Sequence, residues 1–142
     1  MSSSEVLALS ASDCEQLLTL YDIGRIGVVE DGCPLVFPIN YRAVLLDGRL
    51  VLAIRTRTDN VIDHPGRAVC FEIDGVDATH DGGWSVLVRG MLVESAQDPT
   101  IDSHPIDTEG RDAWRMIVPT HISGRRVYNR AERWSFHPAG YL

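Results

Sequence analysis

"RIGVVEDGCPLVFPINYRAVLLDGRLVLAIRT" (residues 25–56) contains three apolar runs separated by Asp31-Gly32 and Asp47-Gly48. Asp-Gly pairs tolerate the positive φ angles that two-residue hairpin turns require, and the flanking Val, Ile and Leu residues suit strands. The stretch therefore predicts a three-strand antiparallel meander over 25–30, 34–46 and 49–56. Pro38 lies inside the second run and cannot donate to a ladder, so that strand is expected to be bent, bulged or at an edge there.

Upstream, Ser12 and Glu15 make a capping-box pattern, and Cys14, Leu17, Leu18 and Tyr21 follow at helical spacing. A helix is expected there, with Gly24 as its stop. Downstream, residues 59–66 have room for a turn or two of helix, capped by Asp59 and ended by His64-Pro65. "RAVCFEID" (67–74) alternates as a strand. "WSVLVRGMLVES" (84–95) reads as a long strand in which Gly90 marks a bulge or a close backbone approach. Residues 98–107 are rich in Pro and Asp and predict a surface loop. "EGRDAWRMI" (109–117) predicts a short helix, and "THISGRRVYN" and "RWSFHP" predict closing strands. With no repeat and no internal linker, residues 1–142 read as one mainly β domain. It is expected to be a closed or partly closed barrel with short helices at its ends.

Composition narrows the function. The 142 residues are 44% apolar and carry a formal net charge of -7, which suits a soluble domain and disfavours nucleic acid and membrane surfaces as partners. All 13 basic residues are arginine, a bias that a GC-rich genome explains, so their placement is more informative than their number. Three widely spaced cysteines and a short polar N-terminus point to a reducing cytoplasm. The five histidines lack paired ligand spacing, and a zinc site is not expected. No Ser-His-Asp or Cys-His set supports hydrolysis, and no G-x-G-x-x-G follows a strand.

The end of the third strand, Arg55-Thr56-Arg57-Thr58, gathers guanidinium groups and hydroxyls just before Asp59-Asn60. Two readings stand. The donors can converge with the first N–H groups of a following helix on a phosphate. Alternatively, the arginines of an exposed strand end pair with Asp59, Asp63 and Glu72.

With "RIGVVEDGCPLVFPINY", "IRTRTDN", "CFEID", "GGWSVLVRG" and "IVPTHISGRRV", the chain resembles the pyridoxamine 5'-phosphate oxidase-like flavin-binding split barrels, in particular their actinobacterial members. The resemblance runs from about Leu9 to Val127. It implies a Greek-key-like split β-barrel, FMN as cofactor, and a homodimer with two equivalent sites at its interface. It also implies a small-molecule substrate. On this resemblance Arg55 and Thr56 hold the FMN phosphate, with Arg57, Thr58 and Asn60 beside them. Pro38, Ile39, Asn40 and Tyr41 run along the ring system. Trp84, Ser85 and Val86 line the same groove, in many members from the partner subunit.

One departure bears on affinity: members usually carry a lysine where this chain has Asn60. Losing a charged phosphate contact costs on the order of 1.5–3 kcal/mol, so weak flavin binding or an empty barrel is implied, unless Arg57 supplies the charge. The deazaflavin coenzyme, used by similar actinobacterial proteins, is the alternative; its anionic tail would need Arg55, Arg57, Arg125 and Arg126 to converge. A barrel that binds a ligand or partner without turnover is the third reading.

Individual residues keep two readings each. Trp84 is either a flavin neighbour or a core or interface aromatic. Ser85 is either a ligand donor or an ordinary strand serine. Asn40 can bond the ring edge or satisfy backbone near Pro38. Tyr41 reads as a packed barrel tyrosine. Arg89 is expected to pair with Glu72 or Glu94. His121 lies in the C-terminal motif and reads as a surface or interface residue.

Overall fold

The computed structural model describes residues 4–77, 82–106 and 109–129. Its elements are strand β1 (Ser4–Ala8), helix α1 (Ala11–Leu20) and strands β2 (Ile23–Glu30), β3 (Cys33–Asn40), β4 (Arg42–Leu46), β5 (Arg49–Thr56), β6 (Ala68–Val76), β7 (Gly82–Glu94) and β8 (Ala113–Asn129). A single 3-10 turn spans Pro99–Ile101.

The two Asp-Gly turns form as expected. Asp31 and Gly32 have φ of 50° and 75°, and Asp47 and Gly48 have 50° and 76°. Positive φ at both central residues matches the right-handed twist of the flanking strands. The run over 34–46 is two strands rather than one, broken at Tyr41, and Pro38 lies in β3 at the edge of the sheet, one of the placements expected for it.

That break closes the barrel. The sheet runs in the order β3-β2-β6-β7-β8-β5-β4, all neighbours antiparallel, so its outermost strands are β3 and β4. These two are consecutive in the chain and joined through Tyr41, whose N–H donates to the carbonyl of Asp22 (2.9 Å). The two edges of the sheet thus meet in one bent segment, which pairs with β2 before the bend and with β5 after it.

Alternation packs Ile26, Val28, Phe71, Ile73, Val86, Val88, Leu52, Ile54, Leu92 and Ile117 into the interior. Burying each such side chain contributes about 1.5–3 kcal/mol. Tyr41 lies edge-on to Phe71 at 4.7 Å between centroids, and its hydroxyl donates to the Leu18 carbonyl at 2.7 Å. Burial, followed by the Asp22 charge, pushes that hydroxyl well above the usual tyrosine range. Tyr41 is therefore a packed core residue that ties α1 to the barrel.

Four local expectations are corrected. Helix α1 is capped by Ser10, whose side chain accepts from the Asp13 N–H (3.1 Å), and not by Ser12 with Glu15. Gly24 does not stop the helix. It lies in β2, where a Cβ would clash with the end of the Phe71 ring, so its role is to admit that ring. Residues 59–66 form turns without helix. Residues 109–117 lead into β8 rather than a helix, because Trp114, Arg115 and Met116 pair across to β5 and β7. Strand β1, paired with the end of β8, was hidden in a polar N-terminus. The bulge at Gly90 is present as a register shift between Arg89 and Gly90. The "RWSFHP" segment lies outside the described residues.

Candidate functional site

Arg55, at the end of β5, points its guanidinium at an acid. Its Nη1 donates to both carboxylate oxygens of Asp102, at 3.2 and 3.1 Å. Nε donates to the Arg111 carbonyl at 3.2 Å, and the guanidinium lies over the Trp114 ring, 4.8 Å from its centroid. Register explains the stack, because Arg55 faces Trp114 across the β5–β8 ladder. Burial raises the Asp102 carboxyl, but the His104 amide and the Arg55 guanidinium outweigh it and hold the group below the usual carboxylate range.

The rest of the strand end is internally satisfied. Thr56 is fully buried, and its hydroxyl accepts from Asn60 Nδ2 at 2.7 Å. Asn60 Oδ1 accepts from the amides of Ile62 and Asp63, both at 3.0 Å, so Asn60 organises the turn. Asp63 pairs with Arg115, Nε to Oδ1 at 2.6 Å, rather than with Arg55 or Arg57. Arg57 and Thr58 are exposed.

Of the ring-side candidates, Pro38 is exposed, Ile39 is buried, and Asn40 is half-buried. Asn40 donates to the Asp22 carbonyl at 3.4 Å and accepts from the Ile106 N–H at 3.2 Å. Trp84 is buried against Tyr21, 5.2 Å between centroids, and Val86 is fully buried. Among this group Ser85 points outward.

Ser85 belongs to a second cluster, on the outer face of β6, β7 and β8. Two adjoining depressions of about 210 and 610 Å3 share Glu72, Ser85 and Arg125 as lining. The ladder sets Asp74, Ser85 and Arg125 side by side, with Glu72, Leu87 and Ser123 in the next row. Arg25 reaches both Glu72 (3.3 Å) and Asp74 (3.4 Å). Burial first, and the adjacent Asp74 second, raise the Glu72 carboxyl to about 7 against the opposing pull of Arg25. Glu72 thus carries a proton part of the time at neutral pH.

A folded-state value raised above the unfolded one gives stability that is complete below the unfolded value and lost as pH rises through about 7. The full displacement would be worth about 3 kcal/mol, and screening of a side chain that is 33% exposed reduces it to about 1–2 kcal/mol. Glu72→Gln is therefore expected to stabilise the protein by that amount at pH 8 and to change little at pH 5. Urea denaturation at the two pH values measures this; an equal effect at both would contradict it.

The two clusters are far apart within one chain. Arg55 faces Trp114 and Ser85 faces Arg125, eleven residues further along β8. At about 3.3 Å per residue that is roughly 36 Å measured along the strand. For the same reason Arg125 and Arg126 do not converge with Arg55 in one chain. Arg126 turns to Asp77 (3.7 Å) and to the Tyr128 ring.

Neither cluster was complete in the sequence reading. Asp102, Arg111 and Trp114 lie 47 to 59 residues from Arg55 along the chain, and treating 109–117 as a helix hid the register that brings Trp114 across. Glu72 and Asp74 carried a usable signal: they alternate on one strand, so they share a face. Arg89 is opposite Cys70 and His121 and forms no ion pair among the described residues, in place of the expected pairing with Glu72 or Glu94. No helix among the described residues is long and apolar enough to cross a membrane.

Comparison with known proteins agrees with this architecture. Residues 10–126 match the family model described as pyridoxamine 5'-phosphate oxidase. An uncharacterised Mycobacterium tuberculosis protein, Rv0080, is 26% identical over 89% of this chain and 88% of its own. A solved FAD-binding protein from Mycobacterium smegmatis is 31% identical and superposes with a TM-score of 0.64, covering 86% of this chain and 98% of that one. An FAD-binding protein from Mesorhizobium loti, at 23% identity and a TM-score of 0.67, covers 88% of this chain and 98% of its own and shares the fold. The barrel is the split barrel that the sequence motifs implied, and the chain belongs to the pyridoxamine 5'-phosphate oxidase family.

Proposed function

We propose that the protein is a flavin-dependent oxidoreductase that binds FMN and acts on a small molecule as a homodimer. The observation that carries this reading is the Asp102 carboxylate on Arg55: the strand end already grips an oxyanion, and a phosphate has the same chemistry with more charge. The relative at 31% identity is described as FAD-binding, which supports a flavin. A single guanidinium suits the one terminal phosphate of FMN. When bound, the flavin supplies the redox chemistry. This chain's part is to hold its phosphate at Arg55 and to offer Asn40 to the polar edge of its ring.

Distance and surface support a dimer. With eleven residues of β8 between their ladder partners, Ser85 is placed to reach a flavin at Arg55 from a second subunit. The outer face that carries Ser85 also exposes Val29, Val36 and Leu87, apolar side chains that a two-fold contact would cover. One observation favours the non-catalytic barrel instead, namely that the hydrogen bonds of Arg55 and Thr56 are already made within the chain.

Titration with FMN, FAD and the deazaflavin coenzyme separately, followed by absorbance and fluorescence, tests the proposal. FMN is expected to bind at micromolar concentration with a perturbed spectrum, to a dimer by sedimentation. Deazaflavin binding alone would favour the other reductase reading. Binding of none of the three would leave the non-catalytic barrel.

A further inference from the structure

Residues 98–106 touch both ends of the cofactor site proposed above. Asp102 takes the Nη1 donor of Arg55, and four residues later the Ile106 N–H takes Asn40 Oδ1. We infer that this segment is a strap that occupies the cofactor site from within, with Asp102 seated where the flavin phosphate binds and leaving when it arrives. The inference rests on the flavin reading and adds to it a mode of control.

The strap is built to move as a unit. Its 3-10 turn is held by its own bonds: Asp98 accepts from Thr100 N (2.9 Å) and Thr100 Oγ1 (2.7 Å), and Ile101 N donates to the Asp98 carbonyl (3.0 Å). Asp102 Oδ1 also accepts from the His104 amide at 3.0 Å, within the strap. None of these bonds involves the barrel. Among the described residues, the strap is tied to the barrel through Arg55 Nη1 donating to Asp102 and the Ile106 N–H donating to Asn40.

The seated strap is also imperfectly satisfied. Ser103 is buried, and its hydroxyl has no hydrogen-bond partner among the described residues. Ile106 is left 86% exposed, although it is one of the largest apolar side chains in the segment. A buried hydroxyl without a partner weakens the seated state, and Ile106 adds almost no burial to hold it. A phosphate on Arg55 carries more charge than a carboxylate and makes stronger charge-assisted bonds. The strap competes because it is tethered, which gives Asp102 a high effective concentration. It therefore raises the concentration of cofactor needed for binding.

The test compares the full-length protein with Asp102→Asn, which keeps the side-chain oxygen for the His104 amide and removes the charge. Each is titrated with FMN and, separately, with inorganic phosphate against chloride at matched ionic strength. The variant is expected to bind both at least tenfold more tightly. Tighter phosphate binding with no flavin binding by either protein would keep the strap and overturn the flavin reading. Equal affinities for both anions in a folded variant would overturn the strap. Should Asp102→Asn fail to fold, hydrogen exchange on the unmutated protein decides. The Ile106 amide, which bonds to Asn40 on the barrel, is expected to exchange faster in saturating phosphate than in matched chloride, and unchanged or slower exchange overturns the inference.

Discussion

Arg115→Ala is expected to destabilise the protein by about 3–5 kcal/mol, because it strands a carboxylate that has almost no access to water. The Asp63 side chain is 4% exposed, and its Oδ1 meets Arg115 Nε at 2.6 Å. Its other oxygen accepts from the Asp59 amide at 2.9 Å, and Arg115 Nη1 donates to the Trp114 carbonyl at 2.9 Å. Burial raises the Asp63 carboxyl, but the Asp59 amide and Arg115 outweigh it, so the group lies below the usual range. A depressed value gives stability that is present above the unfolded value and lost as pH falls through the folded one. Without Arg115 the carboxyl rises instead. The gap between the two proteins should therefore be full at pH 7 and should narrow toward pH 3–4. Urea denaturation across that range measures it, and a loss below 1 kcal/mol at pH 7 would show that the pair does not anchor the turn over 59–66.

Arg55→Ala is expected to do two separable things. It leaves Asp102, with 16% of its side chain exposed, without its cation, at a cost of about 1.5–3 kcal/mol of stability. It also removes the proposed phosphate donor, and FMN binding is expected to weaken by at least tenfold, or about 1.4 kcal/mol. The double variant Arg55→Ala with Asp102→Asn separates the two. Stability should return, since no buried charge is left unpaired, while flavin affinity should stay low. Arg55→Lys should recover part of the affinity and little of the packing, because an ammonium cannot both donate to the Arg111 carbonyl and lie flat over Trp114. An Arg55→Ala protein with unchanged flavin affinity would remove this residue from the phosphate site.

Much of the barrel was legible because its signals are local. Asp31-Gly32 and Asp47-Gly48 fix two hairpins within four residues each, and the strand over 49–56 forms where its apolar run implies. Helix α1 was recognisable from Cys14 and Leu18, although its cap belonged to Ser10 two residues earlier. What failed was context-dependent. "EGRDAWRMI" has helix-forming composition, yet the ladders to β5 and β7 override it, as tertiary pairing commonly overrides weak local propensity.

The site divides the same way. Arg55 was identifiable from its place at a strand end. Its partner Asp102 was not, because nothing in the spacing between them says that a loop folds back across the rim. The resemblance puts Thr56 and Asn60 with Arg55 on the phosphate, and the structure gives them to each other. Trp84 and Val86 share a strand with Ser85, but alternation sends them inward and leaves Ser85 on the groove.

A crystal of the protein grown with saturating FMN tests the central claim most directly. The account predicts the flavin phosphate within hydrogen-bond distance of Arg55 Nη1, the Asp102 carboxylate moved away, and Ser85 of the partner subunit beside the same flavin. A flavin bound elsewhere, with the Arg55–Asp102 pair intact, would contradict it.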